Sequence, residues 1–246
     1  MASKINKLVK EFGFVEGLVI YVRFKINKLG WFSSKRKGIR FYLRPGSTDK
    51  SVFASVFLQN QYDVPIHFEP KTILDLGANI GLSALYFAER FPNARIIGLE
   101  PDKENFEIAI RNTEAYSNIQ LMNKGVWNKE AYIDIVDTKS RKDAFMVVET
   151  DTPSISSIEA VSIGHIKQQE NWDVIDILKI DIEGSEKELF AENIEQWLPF
   201  AKLIFVEVHD HMRMGASRSV FAATSKYHFS FGMKDENLIF TNEAFQ

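Results

Sequence analysis

Carboxylates, glycines and one histidine recur in this sequence directly after short apolar runs, where an α/β protein carries its chemistry. Thr72-Ile-Leu-Asp-Leu76 leads into the loop Asp75-Leu-Gly-Ala-Asn-Ile-Gly81. Gly77 and Gly81, with Ala78 between them, let the backbone approach a ligand with no Cβ in the way. Asn79 tolerates left-handed backbone better than other non-glycine residues. A helix starting near Gly81 can receive a carboxylate on its free N–H groups, and Asp75 is placed to orient the loop and face an ammonium. Arg95–Leu99 runs into Glu100-Pro101, with Glu100 23 residues past Gly77, where a carboxylate accepts both hydroxyls of a ribose. A dinucleotide site wants Gly-x-Gly-x-x-Gly, but Asn79 and Leu82 replace its second and third glycines. The expected ligand is therefore a nucleoside carrying an amino acid, without a pyrophosphate.

A second group follows later apolar runs. Leu178-Lys-Ile-Asp-Ile-Glu-Gly-Ser185 brings Asp181 and Glu183 to a strand end, and Gly184 allows a sharp turn. In Phe205-Val-Glu-Val-His209, period-two alternation puts Glu207 and His209 on one face. A hydroxyl is a weak nucleophile until its proton is removed, and histidine titrates near neutral pH. His209 is thus expected as a general base, with Asp181 and Glu183 orienting it or the acceptor; a plain capping role is the alternative. Asp181, Glu207 and Asp210 would make an oxygen-rich Mg²⁺ set, but acids beside a cationic ligand need no metal, and none is expected. Glu186 and Glu188 read as ordinary acids of a helix N-terminus.

The positioning elements are legible from Thr72 onward. Strands are expected at 72–76, 95–99, 119–122, 174–180 and 202–208, and helices at 82–91, 103–116 and 185–197. Ala131–Val136 and Phe145–Glu149 read as a paired insertion. The tail reads as helix 217–225, then strands 227–231 and 238–241 closing a hairpin. Alternation of this kind predicts an α/β fold: a mostly parallel seven-stranded sheet, helices on both faces and a C-terminal antiparallel hairpin. Residues 72–246 would form this Rossmann-like domain, and residues 1–71, which resist the pattern, a basic extension or cap. Val126 or Trp127 would meet an adenine ring after the third strand, with Trp127 reading equally as core. Asp49 and Tyr62 would close over the bound ligand, and His211, Met212 and Met214 either line a substrate entrance or simply form a loop.

Asp75–Gly81, Glu100-Pro-Asp102, Lys179-Ile-Asp-Ile-Glu-Gly184 and Val206-Glu-Val-His209 resemble, in order and interval, the FkbM-type methyltransferases. Leu43-Arg-Pro-Gly-Ser-Thr-Asp49 resembles that family's entry segment, so the likeness covers residues 40–210. The resemblance implies a class I fold, S-adenosylmethionine as cofactor, and O-methylation of a hydroxyl on a sugar, glycan or natural product. The runners-up are a nicotinamide-dependent sugar oxidoreductase, which the missing glycines disfavour, and a cofactor-binding module without turnover.

The 246 residues include no cysteine, which removes disulfides and thiolate chemistry and fits a reducing compartment. Net charge is −3, yet residues 1–40 hold ten Lys/Arg against Glu11 and Glu16, which is +8; the remainder carries −11. The acidic body opposes nucleic-acid binding. The basic start is either a solvated face or a contact for a membrane surface or anionic substrate. The apolar stretch 12–24 is short for a membrane span and broken by Glu16 and Arg23, so a cytoplasmic protein, with or without membrane association, is expected.

Overall fold

The structure, a computed structural model, describes residues 4–137 and 145–245. Helices α1 (Lys4–Phe12) and α2 (Phe14–Lys25) precede a hairpin of β1 (Gly30–Ser34) and β2 (Ile39–Leu43), then α3 (Asp49–Phe53). Strands and helices next alternate as β3 (Thr72–Leu76), α4 (Leu82–Arg90), β4 (Arg95–Leu99), α5 (Lys103–Thr113) and β5 (Ile119–Met122). A small second sheet holds β6 (Gly125–Val126), β7 (Ala131–Asp137), β8 (Phe145–Thr150) and β9 (Ile158–Val161), in the order β6-β9-β7-β8. The chain continues through α6 (Ile163–Gln169), β10 (Ile175–Ile180), α7 (Glu186–Leu189), β11 (Ala201–Glu207) and α8 (Ala216–Thr224). It ends with β12 (Phe229–Lys234) and β13 (Asn237–Asn242).

The main sheet has seven strands in the order β12-β13-β11-β10-β3-β4-β5. Pairs from β11 through β5 are parallel, and β13 enters antiparallel to β11, as the expected C-terminal hairpin requires. Side-chain alternation sorts the sheet's apolar residues onto two faces. Ile73, Ile96, Ile177, Leu203 and Phe205 face α4 and α5, while Leu74, Ile97, Leu178, Ile204 and Val206 face α6 and α8. Both faces are covered, so central strands such as Ile175–Ile180 are buried at every residue and read as continuous apolar runs.

Residues 4–58 pack against the first of these faces. Phe41 and Phe53 stack at 5.1 Å and Phe12 and Phe53 at 5.5 Å, in the same core as Ile73, Leu85 and Phe87. The β1–β2 hairpin is tied on by Asn112 of α5, whose Oδ1 accepts from the Tyr42 N–H at 2.5 Å. Residues 185–197 differ from expectation. Phe190, Ile194 and Trp197 are buried at helical spacing, but helix α7 stops after Leu189, and the left-handed Asn193, at φ 57°, keeps it from resuming. The Asn193 side chain donates to the Asn128 carbonyl instead, and short 3₁₀ turns follow. Among the described residues no helix is long and apolar enough to cross a membrane.

Helices α1 and α2 cross where Gly17 faces Leu8. A Cβ on Gly17 would lie 2.7 Å from the Leu8 carbonyl carbon and oxygen. Alanine gains about 1 kcal/mol in helix propensity, but rigid backbone stands in its way. Gly17→Ala is therefore expected to lower the urea midpoint, by an overpacking cost of about 1–3 kcal/mol.

Candidate active site

Strand order runs outward in opposite directions from β3, and ligands of open α/β sheets bind beside such a point. A cavity of about 580 Å³ opens here, at the carboxyl ends of β3, β4 and β10. Its wall carries Gly77, Asn79, Glu100, Pro101, Val126, Asp181 and Glu183, with Ile133 and Ile158 on the apolar side. His211 and Met212 also line it, while Trp127 is buried against Ile133 and Ala160.

The loop after β3 spends its amides on protein acceptors, most of them at the end of β4. Gly77 N and Ala78 N donate to the Leu99 carbonyl at 2.9 and 2.8 Å, and Gly81 N to the Ala78 carbonyl at 2.8 Å. Asn79 N donates to Glu100 Oε2 at 2.7 Å, and Ile80 N to Asn79 Oδ1 at 2.8 Å. Every N–H from Gly77 to Gly81 is thus engaged, so a ligand carboxylate would have to meet the first turn of α4 beyond them. The glycines serve close packing. A Cβ on Gly77 (φ +78°) would lie 1.8 Å from the Asp181 carbonyl oxygen, and one on Gly81 would press on Ala109 and Thr113 of α5. Ala78 is buried over Gly98, and neither Ala78 nor Gly81 is on the cavity wall.

Glu100 is buried yet lines the cavity, its Oε1 accepting from Asp102 N at 2.9 Å. Burial pushes its pKa up to about 7, against the pull of the Asp102 and Asn79 N–H groups. Two carboxylate oxygens with spare lone pairs therefore face an enclosed space.

Asp75 does not reach that space. It is fully buried, accepting from Ser83 Oγ at 2.5 Å and pairing with Lys179 Nζ at 3.2 Å. This ion pair replaces the expected ammonium contact with a ligand. Lys179 also donates to the carbonyls of Leu76 (3.2 Å) and Gly77 (2.5 Å), with Asp181 Oδ2 at 3.7 Å. Burial alone would strip its proton, but the charges of Asp75 and Asp181 raise its pKa overall.

His209 is enclosed by acids. Its Nδ1 lies 3.1 Å from Glu186 Oε1, and its Nε2 lies 3.6 Å from Glu207 Oε1 and 3.8 Å from Asp181 Oδ1. Burial opposes its charge, but Glu186 and Glu207 outweigh that and raise the pKa to about 11. Acids beside both ring nitrogens favour the imidazolium, which has no lone pair to take a proton, and this runs against the free-base expectation for His209. The expectation rested on the ordinary titration of histidine near neutral pH; Glu186, read as a plain helix acid, is instead fully buried and holds the ring. Asp181, which does line the cavity, is raised above the usual carboxylate range by burial and by Glu207 and Glu183, against Lys179 and His209. Glu183 is exposed at the rim with left-handed backbone at φ 54°.

Ligand atoms of Asp181, Glu207 and His209 lie within 4.8 Å of one another, close enough to share a divalent cation. Asp210 is not among them, because its Oδ1 accepts from Gly215 N and Ser217 N at the start of α8. Asp49 and Tyr62 also sit elsewhere. Asp49 is buried in an ion pair with Arg44, which reaches Asn105 on the cavity wall, and Tyr62 packs against Phe87 and Phe205. Lys179, Glu186 and Arg44 were missed as site residues; the signal for Lys179 was a charge inside the most apolar strand.

Comparison with known proteins adds to this geometry. Residues 75–231 match a family model described as "Methyltransferase FkbM domain". "Methyltransferase sdnD" of Sordaria araneosa is 22% identical over 189 residues, covering 63% of this chain and 73% of that protein. "Methyltransferase 1" of Beauveria bassiana is 22% identical over 181 residues, covering 65% and 73%. Among solved structures, "Methyltransferase FkbM" from Methylobacillus flagellatus is 14% identical at TM-score 0.48. The match covers 96% of this chain, which spans 62% of that longer one.

Removing the buried cation should expose its role. Lys179→Met is expected to cost about 3–5 kcal/mol by leaving buried charge unpaired. Adding Asp75→Asn should recover part of that loss in a urea double-mutant cycle. In the folded protein the lysine binds its proton more tightly, so its contribution holds through the neutral range and is lost only at strongly alkaline pH.

Proposed function

Since the chain belongs to the FkbM methyltransferase domain family, we propose that it moves the methyl group of S-adenosylmethionine onto a hydroxyl of a sugar, glycan or natural product. The observation that carries this reading is the division of polar groups around the cavity. Loop amides are consumed internally, while the carboxylates of Glu100, Asp181 and Glu183 face inward or stand at the rim. Such a wall suits hydroxyl donors and cations better than the pyrophosphate of a nicotinamide dinucleotide, and the amides of residues 77–81 are already spent.

The residues fit the cofactor by their donor and acceptor chemistry. Glu100 would take the ribose hydroxyls, Pro101, Val126, Ile133 and Ile158 the adenine, and Gly77 and Asn79 the floor beside them. Asp181 and Glu183 complement the positive sulfonium and ammonium groups. When bound, the cofactor supplies an electrophilic methyl carbon on sulfur. The acceptor oxygen would take that methyl group in exchange for its proton, leaving S-adenosylhomocysteine and a proton for the protein to receive. Asp181 receives that proton, being the raised carboxylate on the cavity wall. His209, held as a cation by Glu186, fixes Asp181 and Glu207 from behind, and Glu183 orients the acceptor.

Titration calorimetry with S-adenosylhomocysteine tests the cofactor assignment. Binding by the wild type, none to NAD, and a roughly 10- to 100-fold loss in Glu100→Gln are expected, from about 1.5–3 kcal/mol for hydrogen bonds to a charged group. No binding would end the reading. Because the Glu100 pKa is raised to about 7, affinity should climb as pH rises through neutrality, and this slope should vanish in Glu100→Gln. Stability runs the other way: the folded state keeps the extra proton between the ordinary 4.5 and about 7, so ionisation costs stability across that window. Asp181→Asn should retain cofactor binding but lose about 10²–10⁴-fold in kcat, read as release of S-adenosylhomocysteine with the true acceptor. A merely cofactor-binding module would show no turnover to lose.

A further inference from the structure

The N-terminal helices carry an apolar surface that no part of the site explains. Phe14, Val15, Leu18, Val19 and Val22 project outward from α2, and Ile26 continues the stripe past its end. Phe14 and Val15 are more than two-thirds exposed, at 72% and 71%, and Ile26 is 62% exposed. The inward side of the same helix buries Gly17, Ile20 and Phe24, so both sides of α2 are apolar and only one is covered. An exposed stripe of this size marks a contact surface.

The charged residues of α2 are drawn off that stripe. Glu16 accepts from Ser34 Oγ at 2.6 Å and from Lys35 N at 2.9 Å. Arg23 donates to the carbonyls of Lys28, Leu29 and Trp31, its guanidinium lying over the Phe32 ring. Lys25 and Lys28 follow the stripe at one end, and Lys4, Lys7 and Lys10 stand on the exposed side of α1, whose one acid, Glu11, is paired with Lys37. Gly17 holds α1 tightly against α2.

We propose that this helical pair seats the protein on an anionic lipid bilayer, with the α2 stripe entering the headgroup–acyl boundary and the α1 lysines against acidic headgroups. An apolar face bordered by lysines, on a helix too short to span, is the composition of an interfacial helix. An anionic bilayer offers the charge that complements these lysines, which a second, equally basic copy of the same patch would not. The inference is independent of the methyl-transfer reading.

Vesicle flotation of the full chain tests it. The protein should float with vesicles of equimolar phosphatidylcholine and phosphatidylglycerol, not with phosphatidylcholine alone, and added salt should weaken binding. Val15→Asp with Val19→Asp should cut partitioning by at least about tenfold. Replacing Lys4, Lys7 and Lys10 by alanine should cut it roughly fivefold per lysine. Both variants alter exposed side chains and should keep the wild-type melting temperature and its increase with S-adenosylhomocysteine. Failure to float, flotation unchanged by the two aspartates, or a dimer in light scattering that those aspartates dissolve would each overturn the proposal.

Discussion

One buried cation organises the working edge of this protein. Lys179 stands inside the central strand β10, and with no water to solvate it the surrounding chain must do so. Asp75 supplies the counter-charge from β3, and the carbonyls of Leu76 and Gly77 take its remaining protons. The ends of β3 and β10 are thereby clamped so closely that residue 77 can carry no side chain. The same clamp curls the following loop back onto β4, where its amides reach the Leu99 carbonyl and Glu100. The acids left on the cavity wall are Glu100, Asp102, Asp181 and Glu183.

A second constraint, at the next strand end, works by enclosure. His209 is surrounded by Glu186, Glu207 and Asp181, and Glu186 comes from the first turn of the helix after β10. The short α7 is therefore a functional element as well as a packing one. Opposite charges interleave along the edge as Asp75, Lys179, Asp181, His209 and Glu186, so Asp181 on the cavity wall stands between two cations. Local interleaving contrasts with the long-range separation of charge, in which the first forty residues are basic and the rest acidic.

Much of this was legible in the residues alone. Strands buried on both faces are continuous apolar runs, so β3, β4, β10 and β11 declared themselves, and glycine or acid at their ends marked the edge. Glu100 was found by its spacing from the loop, and Asp181 and Glu183 by their place after the most apolar run. Roles were harder to read. Whether a glycine yields space to a ligand or to another strand depends on residues a hundred positions away, as Gly77 against Asp181 shows. The state of His209 depends on Glu186, whose side chain returns to the strand edge from a helix. The segment 185–197 misled because Phe190, Ile194 and Trp197 keep helical spacing while Asn193 breaks the helix. Residues 4–58 showed no local pattern because their order comes from aromatic packing between distant segments, Phe12 and Phe41 on Phe53.

The central claim is that the ends of β3 and β4 form a receptacle for a nucleoside bearing an amino acid. A crystal structure of the chain with S-adenosylhomocysteine addresses it most directly. The account predicts both ribose hydroxyls on the Glu100 carboxylate and adenine against Val126, with the loop amides still bonded as they are here. A ligand lodged elsewhere, or Glu100 turned away from the ribose, would contradict it.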